Sequence, residues 1–159
     1  MSEYKFELLR DLSRLPEFAD VAWLSMGGAA GPTEKFRNEI AGFINNANSE
    51  NPRIEGRAGL AFVMLDGEKI VGTICAMEDG HLAGYAQFNY LAVLPEFRGG
   101  ALGGKILSGA AAAVRAYSDF RYAIWSTVTS GPYYDKLGLK KIGRLDSPNA
   151  AHYFYGMEI

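Results

Sequence analysis

VLPEFRGGALGGKIL, residues 93–107, holds four glycines between Gly99 and Gly104, directly after an apolar run and directly before a run with helical spacing. A strand that ends in a glycine-rich turn and opens a helix is a ready anion site. The first backbone N–H groups of a helix have no internal partner, and its dipole favours negative charge. Two nucleotide motifs share this logic and fail on spacing. The triphosphate loop G-x-x-x-x-G-K-[ST] is met at Gly99, Gly104 and Lys105, but Ile106 stands where a hydroxyl must reach magnesium. The dinucleotide fingerprint G-x-G-x-x-G fails because Ala101 and Leu102 occupy the second-glycine positions counted from Gly99 and Gly100.

Working outward from this stretch, the run YAQFNYLAVL (85–94) reads as the strand that feeds it, and Leu102, Ile106, Ala110, Ala113 and Tyr117 repeat at helical spacing behind it. LAFVMLDGEKIVGTICAM (60–77) carries Asp66-Gly67 between two β-rich runs, a strong hairpin signal, and EDGHLAG (78–84) is a second turn. These three strands form an antiparallel meander. Upstream, YKFELLR (4–10) reads as a strand, residues 16–28 as a helix with Pro16 in its first turn, and Phe36, Ile40, Phe43 and Ile44 as the apolar face of a second helix that starts near Thr33. Downstream, residues 122–128 read as a strand, Ser130 to Gly138 as a short capped helix, and HYFYGMEI (152–159) as a last strand. The order β, α, α, β, β, β, α, β, α, β predicts a mixed α/β (α+β) domain with one strand–helix–strand unit in its second half.

With 159 residues, 48% of them hydrophobic, the chain has the size expected of one domain over residues 1–159. No stretch reaches bilayer-spanning length and the N-terminus lacks a signal-peptide core, so a cytoplasmic protein without a membrane partner is expected. Cys75 is the sole cysteine, which excludes an internal disulfide and a thiolate metal cluster. A net charge of −2 without a basic block argues against nucleic acid.

The string V-L-P-E-F-R-G-G-A-L-G-G-K-I-L resembles the coenzyme segment of the GCN5-related N-acetyltransferase (GNAT) family. In that family a strand ends in an apolar residue, a proline follows two positions on, and R-x-x-G-x-G or R-x-x-G-x-A opens a long helix. Val93, Pro95, Arg98 and Gly103 match in register; Ala101 departs, standing where the first glycine is usual. A second segment, Tyr133-Tyr134-Asp135-Lys136-Leu137-Gly138-Leu139, resembles the family's F/L-Y-x-K/R-L-G-F, with Leu139 replacing the aromatic residue.

The resemblance implies a mostly antiparallel sheet of about seven strands with about four helices, and acetyl-CoA as co-substrate with no metal. The pyrophosphate would lie on the N–H groups of Arg98, Gly99, Gly100, Ala101, Leu102, Gly103 and Gly104. The strand ending in Leu91, Ala92 and Val93 would splay from residues 122–128 and offer backbone groups to pantetheine. Tyr134 would act as general acid. The acceptor implied is a small-molecule or peptide amine. The glutamate base of some members falls at Gln87, which cannot accept a proton. Glu78, Asp79, His81, His152 or a water relay stand as alternatives, and a non-catalytic coenzyme-binding domain is the rival to an enzyme. Trp23, Met26, Phe36 and Phe43 could line an acceptor pocket or be core, and the loop of Gly27, Gly28 and Gly31 suits a lid or a mere turn. The last aromatic strand could pair between two subunits of a homodimer or stay within its own sheet.

Overall fold

The computed structural model describes residues 3–27, 30–80, 84–127, 131–136, 139–146 and 151–159. Its elements run β1 (Tyr4–Leu8), α1 (Leu15–Ala22), α2 (Glu34–Ala47), β2 (Leu60–Asp66), β3 (Lys69–Glu78), β4 (Tyr85–Val93), α3 (Leu102–Tyr117), β5 (Tyr122–Thr127), α4 (Gly131–Lys136), β6 (Lys140–Asp146) and β7 (Ala151–Glu158). The seven strands make one sheet in the order β1-β2-β3-β4-β5-β7-β6. This is the mixed, mostly antiparallel α/β architecture expected from the sequence. Ser130 and Gly138, the predicted cap and stop of the short helix, lie outside the described residues.

Local chemistry accounts for the elements. Thr33 caps α2 by accepting the Phe36 N–H through its side chain at 3.1 Å. The helix predicted over 16–28 is shorter than expected: α1 ends at Ala22, and Trp23–Met26 tightens into a 3-10 turn closed by Gly27 in the left-handed conformation. Asp66 pairs with Lys69, so the hairpin turn is Gly67-Glu68, with Gly67 at φ 61°. β6 was not singled out along the sequence, although it completes the seven strands that the resemblance implies.

Both faces of the sheet are covered. On one, α1 and α2 bury Phe18, Val21, Phe36, Ile40, Phe43 and Ile44 against β2 and β3. On the other, α3 buries Leu102, Ile106, Leu107, Ala110 and Val114, joined by Tyr134 of α4 and Tyr155 of β7. Gly72 allows the close approach of α3, since a Cβ there would come within 2.5 Å of Ile106 Cδ1 and 3.2 Å of the Ala92 carbonyl.

Two features of β4 shape the site. It pairs antiparallel with β3 but parallel with β5, because α3 carries the chain back over the sheet between them. The parallel pairing covers only Tyr85↔Tyr122, Ala86↔Ala123 and Gln87↔Ile124. Beyond Gln87 the two strands run on without pairing and leave a fork.

Candidate active site

The fork opens at Gln87 and its β4 edge runs through Leu91, Ala92 and Val93 to the glycine-rich turn. Pro95–Phe97 form one 3-10 turn, and α3 begins at Leu102. From the cap of α3, the Ala101 carbonyl accepts the Lys105 N–H at 3.2 Å. No side chain caps this end and no acidic residue lies in its first turn. Its leading amides therefore face outward with the positive end of the dipole behind them. Gly99, Gly100 and Ala101 are exposed, whereas Leu102 and Gly103 are buried and anchor the turn.

Ala101 holds φ 62° and ψ 18°, in the left-handed region, and is the N-cap of α3. The glycine usual at this position in the resembled motif now has a physical reason: an L side chain at this angle costs about 1–2 kcal/mol. Gly99, two residues earlier, has φ 86°. Arg98 turns back on its own strand, its Nε–H donating to the Val93 carbonyl at 2.9 Å. This bond ties the end of β4 to the turn and engages one of the carbonyls expected to face pantetheine.

An open groove of about 540 Å³ runs along the first two turns of α3, lined by Ala101, Gly104, Lys105 and Ser108 on one side and Leu139 and Met157 on the other. Tyr134 is buried beneath the same face, its ring 5.3 Å from that of Tyr155. Tyr155 Oη donates to Asp135 Oδ1 at 3.1 Å, which fixes α4 on β7.

On the other face, Gln87 stands half-buried at the apex of the fork, opposite Met77 of β3, which packs against the α1–α2 cluster. Glu78 accepts the Gly56 N–H at 3.1 Å. Asp79 lies just past β3, where its N–H bonds the Tyr85 carbonyl. His152 lies in β7 opposite Leu145, and His81 and Gly28 lie outside the described residues. Among the acceptor-pocket candidates, Phe36 and Phe43 are core, while Trp23 is half-buried and Met26 is 54% exposed. Trp23 Nε1–H donates to the Ala30 carbonyl at 2.7 Å, tying the α1 end to the α1–α2 loop.

Three residues that the sequence did not single out for the site meet beside the fork. Tyr90 has φ 59°, and the β3–β4 register shifts there, so Tyr90 and Leu91 both stand opposite Ile74 in a β-bulge. Its Oη–H donates to Glu39 Oε1 of α2 at 2.8 Å, and Phe36 meets its ring edge-on at 4.9 Å. Its carbonyl accepts the hydroxyl of Thr73, a fully buried residue of β3, at 2.9 Å. Burial, then the Glu39 carboxylate, push the Tyr90 phenol well above its ordinary range. Burial and Glu39 likewise push up the Cys75 thiol, which leaves it a poor nucleophile.

Known structures place this architecture. An acetyltransferase of the GNAT family from Streptococcus pneumoniae superposes with a TM-score of 0.72 at 16% identity, over 99% of each chain. An acetyltransferase from Thermus thermophilus gives 0.68 at 18% identity over the whole of both chains. An aminoglycoside 6'-N-acetyltransferase solved with coenzyme A gives 0.72 at 14% identity, over 98% of this chain and 96% of that one. At these identities the likeness is one of fold. No curated protein sequence matches the chain. Residues 57–155 match the acetyltransferase (GNAT) domain model, which spans β4, the glycine-rich turn and α3. The chain belongs to the GNAT acetyltransferase family. Among the described residues no helix is long and apolar enough to cross a membrane, and no cluster of potential metal ligands occurs.

Proposed function

We propose that the protein transfers the acetyl group of acetyl-CoA to a primary amine by direct attack. The observation that carries this reading is the continuity of the β4–β5 fork with the uncapped start of α3. Residues 99–104 would hold the pyrophosphate on backbone amides, the Arg98 N–H being given to the Pro95 carbonyl, and the β4 edge at Leu91, Ala92 and Val93 would pair with pantetheine as an added strand once Arg98 releases the Val93 carbonyl. The aminoglycoside 6'-N-acetyltransferase of the same fold was solved with coenzyme A, which supports this assignment.

The incoming amine must shed a proton, because an alkylammonium has a pKa of about 10 and is almost wholly charged at neutral pH. Its nitrogen then bonds to the thioester carbon, the carbonyl electron pair moves to oxygen, and the Leu91 N–H stabilises that oxygen. Collapse breaks the C–S bond, the departing thiolate takes a proton from Tyr134, and the proton shed by the acylated nitrogen passes through solvent to restore the phenol. The α1–α2 side of the fork, with Trp23 and Met26 at its rim, would receive the acceptor.

A second reading, a coenzyme-binding domain without turnover, is favoured by Gln87 at the apex of the fork and by the strained Ala101. Thiol release from acetyl-CoA across a panel of polyamines, aminoglycosides, amino acids and peptide N-termini separates the two. Release above background with at least one amine is expected, together with a fall in kcat of about tenfold or more in Tyr134→Phe. Absence of release with every amine, in a protein that still binds the coenzyme, leaves the second reading standing.

A further inference from the structure

Tyr90 holds φ 59°, a left-handed conformation that a tyrosine rarely adopts, and such strain persists where the surroundings over-determine it. Here the determinants can be named. The Thr73 hydroxyl bonds the Tyr90 carbonyl at 2.9 Å, and Glu39 holds the far end of the side chain through Oη at 2.8 Å. Thr73 has no exposed surface, so its hydroxyl has no water to turn to. One brace acts on the main chain and the other on the ring.

The main-chain brace has a directional consequence. In a trans peptide the carbonyl and the following N–H point to opposite sides. A Tyr90 carbonyl turned to Thr73 of β3 therefore sends the Leu91 N–H away from β3. On that side of β4 the partner strand has already diverged, since pairing with β5 stops at Gln87↔Ile124. The bulge thus delivers one main-chain donor into the fork.

We propose that Thr73 is a positioning residue for acetyl transfer: its buried hydroxyl sets the plane of the Tyr90–Leu91 peptide, with Glu39 bracing the Tyr90 ring, so that the Leu91 N–H meets the thioester oxygen. This rests on the acetyl-transfer reading. The negative charge that the Leu91 N–H must meet exists only between formation of the C–N bond and rupture of the C–S bond. Loss of the brace should accordingly slow turnover far more than it weakens the ground-state complex.

The test uses Thr73→Val, which keeps the shape and removes the hydroxyl, and Thr73→Ser, which keeps the hydroxyl and removes the methyl. With any amine that supports turnover, Thr73→Val is expected to lower kcat by about tenfold or more while KM for acetyl-CoA stays within about twofold. Thr73→Ser is expected to restore kcat despite its packing defect. Equal impairment in both variants would assign the effect to packing, and a wild-type kcat in Thr73→Val would remove the role altogether. A second arm does not depend on turnover: the Leu91 amide proton resonance is compared with acetyl-CoA and with coenzyme A bound. A downfield displacement specific to acetyl-CoA is expected in the wild type and should collapse in Thr73→Val. If that displacement is present and depends on Thr73 while no amine is acetylated, the positioning survives and the transferase reading fails. If amines are acetylated and the displacement is absent, the positioning fails alone.

Discussion

Ala101 and Gly99 stand two residues apart in the same turn, both at positive φ, one with a Cβ and one without. They predict opposite outcomes. Ala101→Gly relieves a left-handed strain of about 1–2 kcal/mol, partly offset by about 0.4–1 kcal/mol of added freedom in the unfolded chain. A net gain of about 0.5–1 kcal/mol is expected, read as a higher urea midpoint with unchanged slope. Gly99→Ala meets nothing within 4 Å of its new Cβ, so conformation alone should decide its sign, with a loss of about 1 kcal/mol. A stabilising Gly99→Ala would contradict the turn geometry. The sequence located this turn and its helix but not its strain: an alanine at this position suggests ordinary helical backbone, and nothing local marks it as left-handed. Tyr90 hides in the same way. Its conformation depends on Thr73 and Glu39, distant in sequence, and periodicity within β4 cannot report a bulge made by such partners.

Elements were legible where one face is buried and the other is not. The spacing of α2 and α3 and the β-rich meander follow from that contrast, and their observed bounds lie within a few residues of those expected. β6, KKIGRLD, escaped because it is an edge strand with a register shift at Ile142, and Lys140, Lys141, Ile142 and Arg144 are all exposed. Among its described side chains there is no buried row for alternation to reveal. Between elements, the attachment of α1 to β3 carries a pH dependence. Glu17 of α1 accepts the Ile70 N–H at 2.9 Å through Oε1, while Arg14 reaches its Oε2 at 2.9 Å. Burial pulls the carboxyl up, but the Ile70 amide and Arg14 outweigh it, so its pKa lies below the ordinary value. A depressed folded-state pKa stabilises above the unfolded value of about 4.3, and the contribution is lost as pH falls through the folded-state pKa. Glu17→Gln should cost about 1 kcal/mol or less at pH 7, given the exposure of the pair, and the difference from wild type should vanish in more acidic solution. A difference that persists undiminished well below the ordinary carboxylate range would assign the effect to packing instead.

At the scale of the whole molecule, the sheet is continuous from β1 to β6 yet split along one line, and α3 starts at the mouth of that split. A ligand that fills the fork and caps α3 would tie the β1–β4 half of the sheet to the β5–β7 half. The proposed coenzyme should therefore stabilise the protein more through the fork than through any outlying contact. With acetyl-CoA at about 100 times its Kd, linkage gives about 2.7 kcal/mol, which for a chain of this length corresponds to a Tm increase of about 5–11 °C. Amide exchange should slow most over residues 91–104, where free strand edge and helix start meet, and least at the distant β1 edge. Magnesium-ATP should give no comparable increase, because Ile106 leaves the turn without the hydroxyl that a triphosphate loop offers to the metal. Gly103→Glu adds a buried carboxylate in the first turn of α3, where it would occupy and repel the place of the pyrophosphate. If that variant folds, shown by an intact cooperative melt without ligand, its acetyl-CoA response is expected to disappear, while Ala101→Gly should keep a full response. Undiminished acetyl-CoA affinity in folded Gly103→Glu, measured by calorimetry, would remove the phosphate site from the start of α3 and detach the fork from its proposed ligand.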